Sequence, residues 1–149
     1  MEILVVIAIA IIAFTAMLGF FALDARVSER NRSRLSALSL AEEAMEAVRY
    51  FRDNNSWSAG LGSLAIGMDY HPVISGSSWN VVSGNENINK FNRKIVVNPV
   101  SRNANDNIED IYNPVNNDAD TKKVIVTISW TDRFGLISET LTAYLTNWK

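Results

Sequence analysis

A polar stretch of oxygen-bearing side chains reads N-x-D-x-D at Asn116, Asp118 and Asp120, with Asp106, Glu109 and Asp110 a few residues upstream. Carboxylates and amides at such spacing can gather around calcium. The segment lacks the spacing and the closing bidentate glutamate of an EF-hand, and Asn and Asp are also good turn formers. It reads first as a solvated loop, with Asp118 and Asp120 as a weak calcium candidate and no other metal site expected. The chain has no cysteine and a single histidine, His71. Thiol catalysis, disulfides, thiolate metal sites and most histidine triads drop out together. His71, ahead of Pro72, reads as a surface or strand-start residue. Scattered carboxylates without a nucleophile or acid–base constellation do not make an enzyme, and no catalytic residue or cofactor is expected.

One more carboxylate poses a chemical problem. Glu2 stands at the head of Ile3–Leu23, 21 residues without a charge. At ~1.5 Å per residue they span about 31 Å, enough for a hydrocarbon core. Thirteen of them are Leu, Ile, Val or Phe, and at insertion-scale values they contribute about −4 to −8 kcal/mol. A cleaved secretory signal should carry a basic start, a shorter apolar core and a small-residue cleavage site. Here the start is Met-Glu and the run is too long, so a membrane anchor is the better reading. Beyond it, Arg26, Arg30, Arg32 and Arg34 outnumber Asp24 and Glu29. The positive-inside rule alone would place this flank in the cytoplasm, and a basic leader ahead of the run would reverse that orientation.

The 149 residues leave room for one compact domain after this segment. A formal charge of −2 gives no basic stripe for nucleic acid. No glycine falls between Gly19 and Gly60, and no proline before Pro72, so one helix is predicted from Glu2 to Asp53. Its first part is apolar all round. Its second part is amphipathic, with Leu38, Ala41, Met45, Val48 and Arg52 on one stripe and Leu35, Ala44 and Phe51 beside it. Glu42, Glu43, Glu46 and Arg49 take the other side. Asp53-Asn54-Asn55-Ser56 ends the pattern.

A turn-rich stretch follows, then the short β-branched runs WNVVS and FNRKIVVNPV, then a polar loop from Arg102 to Lys123. The clearest strand signal is KKVIVTISW, where Val124, Val126, Ile128 and Trp130 alternate with polar or outward residues. A short Gly-containing turn leads to a second alternating run with Ile137, Leu141, Ala143 and Leu145 on one side, which makes a β-hairpin. Helix stripe and sheet face each need a cover. The predicted fold is therefore α+β, a long N-terminal helix whose amphipathic half packs on a C-terminal antiparallel sheet of four or so strands. The predicted organisation is 1–23 apolar helix, 24–53 amphipathic helix and 54–149 β-rich head, with Leu38, Ala41, Met45, Val48, Val124, Val126, Ile128 and Leu141 in the helix–sheet core.

MEILVVIAIAIIA closely resembles the start of mature type IV pilin-like proteins, in which a glutamate precedes an unbroken aliphatic run. Glu2, Ile3, Leu4, Val5, Val6, Ile7 and Ala8 match from that glutamate onward, and the match extends over about a dozen positions. LAEEAMEAVRYFRDNNSW and the closing VIVTISW and LTAYLTNW more loosely resemble minor pilins and pseudopilins. The resemblance implies a basic leader ending in Gly and a mature start other than Met1. It implies that Glu2 pairs with the N-terminal amine of a neighbouring subunit and sets helix register. It also implies that the face built from Ile3, Leu4, Val5, Val6, Ile7, Ile11, Phe14, Leu18 and Phe21 passes from lipid into a filament core. The expected protein is a structural subunit with three kinds of partner: other pilin or pseudopilin subunits, membrane lipid, and prepilin peptidase with the assembly machinery. Its expected place is the inner membrane, head outside the cytoplasm, and afterwards a cell-surface or periplasmic filament of a type IV pilus or type II secretion system. The other reading is a single-span membrane-anchored binding or adhesin domain without a filament.

Overall fold

The computed structural model describes residues 2–133 and 135–148, so Met1, Phe134 and Lys149 lie outside it. The chain divides into two units, Met1–Ser36 and Ala37–Lys149. Helix α1 (Glu2–Asn54) runs through both. In the first unit the helix is the whole described structure. In the second, its last part joins an antiparallel sheet of β1 (Asp69–Ser75), β2 (Ser78–Ser83), β3 (Glu86–Ile88), β4 (Phe91–Ser101), β5 (Asn117–Asp132) and β6 (Gly135–Thr146). The strand order is β2-β1-β4-β5-β6, with β3 paired to β4. The α+β class is as predicted.

The helix stops where its last carbonyls find side-chain donors. The Asn54 Nδ2 donates to the Tyr50 carbonyl at 2.9 Å and the Asn55 Nδ2 to that of Phe51 at 2.8 Å. These amides satisfy groups that a helix C-terminus otherwise leaves bare. Next to them Trp57 folds over the following turn, where a Cβ on Gly62 would come within 2.7 Å of the Trp57 ring. Only glycine allows that approach.

The core lies between the helix and the inner sheet face. Ala37, Ala41, Ala44, Met45, Val48 and Phe51 meet Ile95, Val97, Val124, Val126, Ile128, Trp130 and Leu145. Strand alternation places the hairpin residues as predicted: Ile95 pairs with Val126, Val97 with Val124 and Val126 with Leu141. Phe91 and Trp130, cross-strand partners, stack edge-on with ring centres 5.5 Å apart. Leu141 is half-buried against this core.

Leu38 is the correction. It is 42% exposed, and Leu35 is exposed as well. At 100° per residue the buried face is turned by roughly 60° from the expected stripe, towards Ala37, Ala44 and Ala47. The physical reason is size, because alanine lets the helix backbone close on the sheet where a leucine would hold it off.

Two further corrections concern the strands. There are six rather than four or so. β1 falls in the stretch read as turns because Pro72 breaks any strand pattern. Beyond Tyr70 this strand is paired with β2 alone, since its register with β4 covers only Asp69 and Tyr70, so a missing donor is tolerated. The β1–β2 turn uses Gly76 at a φ of 63°, where a side chain is strained. The end of the predicted polar loop is also strand. β5 begins at Asn117, paired to Ser101, and a register shift at Pro99/Val100 absorbs the extra residues.

Arg93 is the exception on the inner face, 3% exposed on β4 among apolar neighbours. Its Nε and Nη2 donate to Glu86 Oε2 at 3.0 and 2.7 Å, and its Nη1 to Glu43 Oε1 at 3.0 Å and the Leu40 carbonyl at 3.4 Å. One guanidinium thus ties β4 to both β3 and the helix. Truncation would strand two carboxylates and open a void. Arg93→Ala should lower unfolding stability of the detergent-solubilised protein by about 2–4 kcal/mol. Glu43→Gln, on an exposed partner, should lower it by less than about 1 kcal/mol. Denaturant unfolding followed by tryptophan fluorescence checks this, and equal losses for the two variants would contradict the assigned role.

Candidate functional site

Between Ile3 and Leu23 the helix carries apolar side chains on every side. The large ones are half to three-quarters exposed, from 50% at Ile7 to 76% at Ile3. Ile3, Leu4, Val5, Val6, Ile7, Ile11, Phe14, Leu18 and Phe21 all belong to this bare surface. A helix hydrophobic all round calls for an apolar surrounding, either lipid or other protein. The segment is long and apolar enough to cross a membrane. Its one hydroxyl is satisfied internally, because Thr15 Oγ1 donates to the carbonyls of Ile11 and Ile12, at 3.0 and 2.9 Å respectively. That satisfaction is what a polar group in hydrocarbon requires. Gly19 has open space where a side chain would stand, and the helix continues through it.

Glu2 lies in the first turn of α1 and is exposed. The positive end of the helix dipole at that place favours a negative charge. It is the one acidic residue in that turn. The apolar surface and Glu2 therefore occur on one continuous element.

The second group of candidates is arranged differently. Asp118 accepts from Arg102 Nε through Oδ2 at 2.6 Å and from the Asp120 N–H through Oδ1 at 2.9 Å. The guanidinium already supplies the cation beside this carboxylate. Asp120 Oδ1 accepts from Asn147 Nδ2 at 3.0 Å. Among the described residues no three His, Cys, Asp or Glu side chains are gathered as a metal site. His71 Nδ1 lies 3.2 Å from the Gly84 carbonyl, at the strand start expected of it.

Arg102 and Arg93 belong to no motif in the sequence. Arg102 also donates to the Asp106 carbonyl at 2.9 Å and to Thr121 Oγ1 at 3.4 Å, so it clamps the 102–116 loop to β5. Asn103 Oδ1 accepts from the N–H groups of Asn105 and Asn107 inside that loop. An arginine followed by a run of Asn and Asp was the available signal. Only the register of β4 on β5, however, brings Asp118 beside it.

Comparison with protein-family models gives no match, and neither the curated proteins nor the solved structures include a significant one.

The clamp has a pH consequence. Burial acts to raise the Asp118 pKa, but hydrogen bonds from Thr121, Arg102 and the Asp120 N–H outweigh it and hold the carboxyl below its usual value. Its stabilising contribution is complete above the unfolded value of about 3.9. It is lost as pH falls through the lower folded one. Thermal melts below about pH 4 should therefore show a steeper loss in wild type than in Asp118→Asn. Parallel acid limbs would remove Asp118 as a source.

Proposed function

We propose that the chain is a filament subunit of the type IV pilin or pseudopilin kind, held in a membrane by Ile3–Leu23 and carrying its α+β unit outside the cytoplasm. The observation that carries the reading is the apolar surface of the first helical unit, bare on all sides and headed by Glu2. A lipid anchor accounts for the apolar surface alone. A carboxylate at its very head is costly at membrane depth and calls for a partner, which the N-terminal amine of a neighbouring copy supplies in a filament core. Partners on this reading are other subunits, lipid, a prepilin peptidase and assembly proteins. Storage is in the inner membrane and use is in a surface or periplasmic filament.

The second reading, a single-span anchored binding or adhesin domain, is favoured by the same apolar run and needs no role for Glu2. The two separate on one residue. Glu2→Ala and Glu2→Leu should leave membrane fractionation unchanged and reduce incorporation into sheared filaments by about tenfold or more, the scale of one lost desolvated charge pair. Wild-type filament yields from both variants would favour the anchored domain instead.

A further inference from the structure

The outer face of the sheet carries a row that neither the core nor the anchor uses. Asn98 of β4 pairs with Lys123 of β5, and Lys123 with Tyr144 of β6, so three side chains stand side by side across three strands. The Lys123 ammonium lies 5.9 Å from the centre of the Tyr144 ring. Over this row the 102–116 loop raises a wall with Glu109, Asp110 and Tyr112, and floor and wall enclose a cavity of about 310 Å³. That volume falls at the lower end of small-ligand sites.

The wall is built rather than draped. Besides the Arg102 clamp, the Glu109 N–H donates to the Ser101 carbonyl at 2.9 Å and the Asn113 N–H to Ser101 Oγ at 3.0 Å. Tyr112 is held through its hydroxyl, which donates to Asn117 Oδ1 at 3.1 Å. Ser101 itself is buried. Both tyrosines nevertheless keep over two-fifths of their surface exposed. Glu109 Oε1 accepts from Asn116 at 3.2 Å, while Oε2 is buried and meets no donor. A buried acceptor left so is a deficit that a donor entering the cavity relieves, after a small rotation of the Glu109 side chain.

The charges select the occupant. Lys123 in the floor opposes a cation, and Glu109 and Asp110 in the wall oppose an anion. Among the described residues none of the three forms an ion pair within 4 Å. A neutral molecule that both donates and accepts hydrogen bonds satisfies carboxylates, ammonium and the Asn98 amide together. A flat apolar face on the same molecule covers the tyrosine rings. Pyranose sugars have both features. We propose that this cavity binds one saccharide residue, with Tyr112 and Tyr144 as the stacking platform and Glu109, Asp110, Lys123 and Asn98 as hydroxyl partners.

The proposal concerns the 37–149 unit alone and stands or falls separately from the filament reading. The test titrates the full chain, held in a detergent without a sugar headgroup, with the methyl glycosides of glucose, galactose and N-acetylglucosamine. Choline and acetate serve as charged comparisons. Calorimetry and amide chemical shifts report binding. At least one glycoside should saturate with a dissociation constant in the millimolar range and shift the amides of 108–112 and 144. Tyr144→Ala should weaken it about tenfold, and Tyr144→Phe should retain it. Amide spectra establish that both variants are folded. Lack of saturation with all three glycosides, tighter binding of choline or acetate, or an undiminished affinity in Tyr144→Ala would overturn the assignment.

Discussion

Alanine at 37, 41 and 44 keeps part of the core-facing side of the helix small, while Met45, Val48 and Phe51 supply its bulk. The strands add the other large side chains that fill the space: Ile95, Ile128, Trp130 and Leu145. Apolar contacts of this kind are non-directional. Arg93 supplies the missing direction. It hydrogen-bonds a helix carbonyl and a helix carboxylate at one level while Glu86 holds it from β3. A buried guanidinium is rarely the cheapest way to stabilise a core, but its fixed fork does specify position.

How much of this was legible in the sequence varies with the kind of pattern. Helix extent was, because no Pro and only Gly19 fall within it, and Asn54 and Asn55 cap it. The hairpin was, because period-two alternation in 124–130 and 137–145 has no helical counterpart. Rotation of the helix was not. Hydropathy weighs Leu38 above Ala37, whereas close packing chose the smaller residue. β1 and the start of β5 were hidden by Pro72 and by NDADTKK, whose strand character comes from pairing partners far along the chain. The apolar segment and Glu2 were fully legible, because they depend on composition. The Arg102 clamp and the outer-face row were not, since both exist only through strand register.

The two units solve opposite problems. In 37–149 the inward apolar strand residues find partners within the chain. In 1–36 none of the large apolar side chains up to Leu23 does, so its stability must come from its surroundings. Thr15 shows how thorough that adaptation is, with its hydroxyl turned back onto two carbonyls of the preceding turn.

The end of the sheet order carries a last consequence. β6 is an edge strand of 12 residues without a proline. Such an edge, bare along one side, is a template on which a second chain can add itself. Its outward residues Ser138, Thr140 and Thr142 do little to discourage that. Glu139 does, because it is a half-buried acid on the core-facing side of the strand, opposite Ile128. A foreign strand laid along β6 would have to accommodate that carboxylate within the extended sheet face.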